Sequence, residues 1–123
     1  MKRVPIVVHA VLASLVAMTG ACGMDNMMPN PPSELMAAEV SEGAHLTWRD
    51  NSDNEASFMI ERMEGTSPYT ALATVPFDTT AYHDAPLTAG VTYMYRVMAT
   101  PKSGEHGSAT KYSNEVTFTL AAP

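Results

Sequence analysis

Cysteine and positive charge are both scarce in this sequence. Among 123 residues there is one cysteine, Cys22, so no disulfide can form within the chain and any fold must rest on core packing. Seven lysine and arginine residues stand against thirteen aspartate and glutamate residues, which gives a formal net charge of −6. An acidic balance of this kind argues against nucleic acid or an anionic membrane surface as the partner.

Long apolar runs are also missing. The apolar stretch Val4–Met18 is broken by Pro5, His9 and Ser14, and it is short for a full membrane span. Hydrophobic residues nevertheless make up 46% of the chain and charged residues only 16%, a composition that can bury a core. At this length one domain is the default expectation.

The first 21 residues have the layout of a secretory signal. Two basic residues precede the apolar stretch, and the small residues Gly20 and Ala21 follow it, directly before Cys22. Small residues before a lone cysteine resemble a bacterial lipoprotein signal, which implies that Cys22 is lipidated and becomes the new N-terminus. Two alternatives remain at this point: ordinary cleavage nearby, which leaves Cys22 as a free thiol, and an uncleaved anchor.

Residues 22–32 have the composition of a tether, with three prolines, two asparagines and no periodicity. Met27 and Met28 are soft-metal ligands, but two adjacent thioethers without a histidine or cysteine make a weak copper site, so we expect none. Gly23 follows Cys22 where an aspartate favours inner-membrane retention in enterobacteria. The lipoprotein resemblance therefore implies the outer membrane or cell surface rather than the inner membrane.

The rest of the chain, residues 33–123, alternates between apolar and polar side chains and carries turn residues at intervals of roughly ten, as in an all-β sandwich. We predict seven strands in two antiparallel sheets that bury one face each. The predicted strands are Ser33–Ala38, His45–Arg49, Ser57–Met63, Tyr69–Val75, Thr79–His83, Val91–Thr100 and Lys111–Leu120.

The order of several short motifs resembles the fibronectin type III family, particularly its bacterial members, from Pro31 to Leu120. The motifs are Pro31-Pro32, Leu35, Leu46-Thr47-Trp48, Asp50-Asn51-Ser52, Glu55, Phe58, Ile60-Glu61-Arg62, Tyr82, Asp84, Leu87, Gly90, Tyr93, Tyr95-Arg96-Val97, Ala99 and Tyr112-Ser113-Asn114-Glu115-Val116. The resemblance implies a seven-stranded, immunoglobulin-like sandwich with Trp48 in its core. Tyr93 follows Leu87 by six residues, which suits a tyrosine corner, whose hydroxyl bonds to backbone upstream.

Motifs for catalysis or metal binding are weak. Asp50, Asp53 and Glu55 could supply oxygen ligands to calcium, but the loop lacks a complete ligand set. Its aspartate and asparagine residues are typical of an ordinary turn. His45, His83 and His106 lie in separate segments without zinc-ligand spacing. His83-Asp84 lacks a partner nucleophile motif such as G-x-S-x-G. We therefore expect no enzyme activity, no metal and no cofactor.

The sequence thus predicts a monomeric, non-enzymatic interaction or spacer module displayed from a membrane, and the alternative is a carbohydrate-associated binding module. Partner binding is predicted for the loop Pro101–Thr110, through Lys102, Glu105 and His106, together with the loop Asp50–Glu55. A competing site is the edge strand near Tyr69–Val75, which could accept a partner strand. The other alternative is that the loop Pro101–Thr110 is a flexible, solvated hairpin without a binding role.

Overall fold

A computed structural model describes residues 28–102 and 111–122 of the chain. Within these ranges the chain forms seven β-strands, and the predicted all-β sandwich is confirmed. The strands are β1 (Ser33–Val40), β2 (Gly43–Arg49), β3 (Glu55–Glu64), β4 (Thr70–Pro76), β5 (Ala81–Asp84), β6 (Thr92–Pro101) and β7 (Val116–Thr119). The same ranges hold no helix long and apolar enough to cross a membrane.

Two antiparallel sheets make up the sandwich. The first has the order β1-β2-β5 and the second the order β4-β3-β6-β7. Alternation sets which residues face inward: in β6, Tyr93, Tyr95, Val97 and Ala99 are all buried, while the residues between them are at least partly exposed. This pattern is what period-two alternation predicts for a strand that packs on one face.

The core lies between the two sheets and takes residues from both. Its buried hydrophobic members are Leu35, Ala44, Leu46, Trp48, Phe58, Ile60, Tyr93, Tyr95, Val97, Ala99 and Phe118. Trp48 is 5% exposed, and its ring meets Phe58 edge to face with centroids 5.8 Å apart. Because no disulfide braces the chain, this apolar cluster carries the stability of the fold.

The strand directions give the sandwich two distinct ends. The N-terminal pole, where β1 begins, carries the loops at residues 50–54 and 77–80 and the connection that follows β6. The C-terminal pole carries the turn at residues 41–42, the connection at residues 85–91 and the segment after β7. At the N-terminal pole the Asn51 side chain donates hydrogen bonds to the Pro31 carbonyl at 3.0 Å and the Ser33 hydroxyl at 2.9 Å, so the end of the tether is fixed there.

The last strand differs from the prediction. It begins at Val116, not Lys111. Before Val116 the Ser113 amide still donates to the Val97 carbonyl at 2.8 Å, but the returning hydrogen bond from β6 goes to a side chain. The Ser113 hydroxyl accepts the Val97 amide at 3.0 Å, and the Asn114 side chain bonds both backbone groups of Leu35, at 2.9 and 3.1 Å. Tyr112, which the sequence places inside the predicted last strand, precedes β7 and lies against Arg96 on the outer face of the sheet.

Candidate functional site

The sequence-predicted binding and anchoring residues are unevenly placed relative to the described ranges. Cys22, Glu105 and His106 lie outside them. Lys102 is exposed directly after β6, at the N-terminal pole. Since Glu55 pairs with Pro101, the loop Asp50–Glu55 and the start of the loop Pro101–Thr110 lie side by side at that pole.

The residues expected to be structural lie in or against the core. Tyr93 is 3% exposed, and its hydroxyl accepts the Thr88 amide at 2.9 Å, five residues upstream. Leu87 is half-buried and packs against the core cluster. The hydrogen bond from the Thr88 amide to the Tyr93 hydroxyl fixes the connection between β5 and β6, as a tyrosine corner does. Among the described residues, Trp48 Nε1 is the one buried side-chain nitrogen or oxygen without a hydrogen-bond partner.

Three carboxylates converge at the N-terminal pole. Asp50, Glu55 and Asp78 each place an oxygen within 4.8 Å of the other two. Glu55 is buried, and its two oxygens accept hydrogen bonds from the Ser52 hydroxyl at 2.9 Å and the Asp78 amide at 3.3 Å. The sequence-based grouping of Asp50, Asp53 and Glu55 is therefore incorrect in one member, because the β4–β5 connection brings in Asp78. The hydrogen bonds of Glu55 hold the loop at residues 50–54 and the connection at residues 77–80 in place.

The pKa values of two of these carboxyls, Asp50 and Glu55, shift in opposite directions. Burial raises the pKa of Asp50, with Glu55 and Asp78 adding repulsion, although the Ser52 amide opposes the shift at 3.0 Å. Burial alone would also raise the pKa of Glu55, but hydrogen bonds from its own amide, from Ser52 and from Asp78 outweigh burial and lower it. At neutral pH the folded state therefore stabilises the charge on Glu55 and opposes the charge on Asp50.

The C-terminal pole is closed by an ion pair in the core. Both oxygens of Asp84 accept from the Arg62 guanidinium, at 3.1 and 2.9 Å, and one also accepts the Tyr95 hydroxyl at 2.7 Å. Asp84 is 6% exposed. Burial and the bond to Asp84 raise the pKa of Tyr95, so its hydroxyl stays a proton donor. This network ties β3, β5 and β6 together across the two sheets.

A groove of about 560 Å³ opens at the same pole. It lies between the turn after β1, the connection before β6 and the segment after β7. Its lining residues are Glu39, Val40, Ser41, Glu42, Pro86, Leu87, Ala89, Leu120 and Ala121.

Backbone contacts hold the walls of this groove. The Leu87 amide donates to the Glu42 carbonyl at 2.8 Å, and the Gly90 amide donates to the Leu120 carbonyl at 3.0 Å. A Cβ at Gly43 would overlap the Asp84 carbonyl oxygen, so the turn after β1 lies tightly against the end of β5. The groove is therefore preformed by the fold.

The outer face of the four-stranded sheet is centred on Arg96. Its guanidinium lies 3.9 Å from the ring centroid of Tyr69 and 3.7 Å from that of Tyr112, and it pairs with Glu61 at 2.8 Å. Burial, followed by the 3.0 Å hydrogen bond to Glu115, raises the pKa of Tyr69 to about 12. Each ring has one face against the guanidinium, so this cluster braces the sheet surface.

No protein-family model matches the chain, and no curated protein matches it in sequence. Solved structures do match. A Fn3-like protein from Clostridium thermocellum is 28% identical with a TM-score of 0.59, and the match covers 77% of this chain and 96% of that one. A group of titin domains is 22% identical with a TM-score of 0.61, over 76% of this chain and 32% of that one. The fold is fibronectin type III-like.

Pectate lyase PelI from Erwinia chrysanthemi, crystallised with tetragalacturonic acid, also matches the fibronectin type III-like domain. It is 23% identical with a TM-score of 0.60, over 72% of this chain. The chain spans only 28% of the length of that lyase. The matching structures are mostly non-catalytic modules of the fibronectin type III or immunoglobulin type, and the lyase match covers a partial region.

Proposed function

We propose that this protein is a non-enzymatic module that a lipid on Cys22 holds at a membrane and that binds another protein through the groove at its C-terminal pole. One observation carries the proposal: the tether joins the domain at one pole, and the preformed groove opens at the other. A lipid-anchored domain built this way presents its groove away from the membrane.

The tether sets how far the N-terminal pole can stand from the membrane. Eleven residues, 22–32, span at most about 40 Å when fully extended. Lys102, which opens the predicted binding loop, directly follows β6 at this same pole, so under this proposal the start of that loop lies on the membrane-proximal side. The groove is the better placed of the two for a partner that approaches from outside.

The chemistry of the groove indicates what kind of partner fits. Its apolar lining residues include Val40, Leu87 and Leu120, whereas Glu39 and Glu42, which also line it, are exposed and make no ion pair with any residue of the described ranges. These two carboxylates beside apolar side chains complement a protein segment that inserts an apolar side chain and places a lysine or arginine beside it. The formal net charge of −6 strengthens the attraction for such a segment.

Anchoring is tested by the substitution Cys22→Ser and membrane fractionation. The variant should leave the membrane fraction or accumulate with its signal uncleaved, while Met24→Leu, two residues away, should fractionate as wild type does. If Cys22→Ser fractionates and migrates like wild type, the lipid anchor is excluded. Protease treatment of whole cells then reports whether the anchored domain faces outward, as the expected outer-membrane or surface location requires.

Groove binding is tested by amide NMR of the isotope-labelled protein with the peptide acetyl-Gly-Lys-Leu-Lys-Gly-amide. Saturable shifts should appear at groove residues such as Val40 and Ala89, and Glu39→Gln with Glu42→Gln should abolish them. The matched control is Glu64→Gln, an exposed carboxylate at the same pole and outside the groove. Equal shifts with the peptide in which glutamates replace both lysines would contradict the charge argument.

A carbohydrate-associated module is the second candidate, favoured by the match to a pectate lyase crystallised with tetragalacturonic acid. Sugar binding needs exposed aromatic faces, and Arg96 already covers one face of both Tyr69 and Tyr112. Phe77, at 61% exposed, is the most exposed aromatic side chain among the described residues. Retardation in a polygalacturonate gel that Phe77→Ala abolishes would favour this candidate over the protein-binding one.

A further inference from the structure

We propose that His45 and His83 together bind a divalent transition-metal ion, Cu²⁺ in preference to Zn²⁺, on the outer face of the three-stranded sheet. The two residues are directly opposite one another in the antiparallel pair of β2 and β5. Their ring centroids are 6.3 Å apart, with the ring planes at 80°. Both neighbours of His45 in β2, Ala44 and Leu46, are fully buried, so the histidine pair projects to the solvent side.

Both imidazoles are available as ligands. Neither ring makes a hydrogen bond or ion pair with a residue in ranges 28–102 and 111–122, and their one ring contact is with each other. His83 is exposed and lies on β5, an edge strand of its sheet. A hydrated ion can therefore reach the pair without moving any part of the core.

The geometry needs only side-chain rotation to close on an ion. Metal–nitrogen bonds of about 2.0–2.1 Å place two ligating nitrogens no more than about 4.2 Å apart. Cross-strand residues have Cβ atoms about 4.5–5.5 Å apart, which allows the nitrogens to reach that separation without a change in the backbone. Two imidazoles hold one side of the ion, and water fills its other positions.

Two features favour copper. Imidazole sites bind divalent first-row metals in an order that places Cu²⁺ above Ni²⁺ and Zn²⁺. Met36 is 62% exposed on β1 and pairs with Thr47, two residues from His45, so its thioether lies on the same face at a diagonal position. In protein copper sites a methionine thioether can serve as a weak axial ligand beside imidazoles. The acidic net charge of the chain favours any cation.

Isothermal titration of the tag-free protein with Cu²⁺ tests the site. We expect one saturable equivalent, and both His45→Ala and His83→Ala should weaken binding by at least about tenfold, since each leaves one ligand of a chelating pair. The matched control is His106→Ala, which removes a histidine outside the proposed site and should leave the affinity unchanged. Zn²⁺ should bind more weakly than Cu²⁺.

Electron paramagnetic resonance of the Cu²⁺ complex gives an independent readout. The spectrum should show coupling to two nitrogen ligands in wild type and to one in either single variant. The positions are on the surface, so the melting temperature of each variant without metal should match wild type and show that the fold is intact. Full Cu²⁺ affinity in His45→Ala or His83→Ala, loss of binding in His106→Ala, or no saturable binding below about 1 mM would each overturn the proposal.

Discussion

The two poles of the sandwich are closed by different chemistry. At the N-terminal pole three carboxylates lie within 4.8 Å of one another, held by hydrogen bonds from Ser52 and a backbone amide. At the C-terminal pole one buried carboxylate, Asp84, meets its arginine and a tyrosine hydroxyl. The three carboxylates at the N-terminal pole repel one another, whereas the ion pair at the C-terminal pole holds β3, β5 and β6 together. The groove opens at the pole where the ion pair joins the strands, and a groove that is already ordered reduces the cost of binding.

The largest expected effect is on the core below the N-terminal pole. Trp48→Ala should cost about 3–5 kcal/mol in the free energy of unfolding, from lost burial and a residual cavity. Urea denaturation measures it, with the exposed Phe77→Ala as a matched aromatic control that should change little. A loss under about 1 kcal/mol would show that Trp48 does not support the core.

The ion pair should make the C-terminal pole the next most sensitive region. Asp84→Ala leaves the Tyr95 hydroxyl and the partly buried Arg62 without their partner, and should cost about 2–4 kcal/mol. Arg62 also lies 4.0 Å from the exposed Glu64, so Glu64→Ala is the matched control and should cost under about 0.5 kcal/mol. Similar losses for the two variants in thermal unfolding would contradict the difference between a buried and a surface pair.

Removing the tyrosine-corner hydrogen bond at the same pole should cost less stability than breaking the ion pair. Tyr93→Phe removes one hydroxyl that accepts the Thr88 amide, and should cost about 1 kcal/mol in chemical denaturation. Tyr82→Phe removes a hydroxyl with no hydrogen bond in the described ranges and should be close to neutral. The corner has no stabilising role if the two variants are equally stable.

The smallest effect should have the opposite sign and come from the N-terminal pole. Because the fold raises the pKa of Asp50, its ionised form is less favourable in the folded state, so Asp50→Asn should stabilise by a few tenths of a kcal/mol at pH 7. Asn can still accept the Ser52 amide. The gain should fade as the pH falls through the raised pKa towards 3.8, where wild-type Asp50 takes up its own proton.

Thermal unfolding of Asp50→Asn and of the exposed Asp53→Asn across that pH range measures both stability changes. A gain that is specific to Asp50 comes from the carboxylate cluster and not from the loss of any one negative charge. Glu55→Gln should act in the other direction, since the fold lowers the pKa of Glu55 and its charge stabilises the folded state at neutral pH. A destabilised Asp50→Asn at pH 7 would contradict the repulsion inferred for this pole.

The strands and the core could be predicted from the sequence because both follow from local alternation. The inward face of β6 needed no knowledge of distant residues, and the place of Trp48 in the core was implied by the family resemblance. The sites needed more, because each depends on which segments the topology joins. Asp78 enters the acidic cluster through the β4–β5 connection, and His45 meets His83 only once β2 and β5 pair in a particular register.

Hydrophobic alternation could not predict that β7 begins only at Val116. Ser113 and Asn114 bond to backbone through their side chains, and alternation carries no signal for that substitution. The groove likewise combines three segments that are far apart in the sequence, and Glu39 and Glu42 come to line it together with Leu87 and Leu120 only in the folded chain. The expected roles of Cys22, Glu105 and His106 remain predictions.

Site-specific photocrosslinking in cells that make the protein tests the central claim, that the two poles have separate roles. A benzophenone side chain is placed either at Ala121, on the rim of the groove, or at Lys102, at the N-terminal pole. The account predicts a discrete protein adduct from position 121 that disappears when Glu39→Gln and Glu42→Gln are added. An adduct from position 102 alone, or one from position 121 that survives both substitutions, would contradict it.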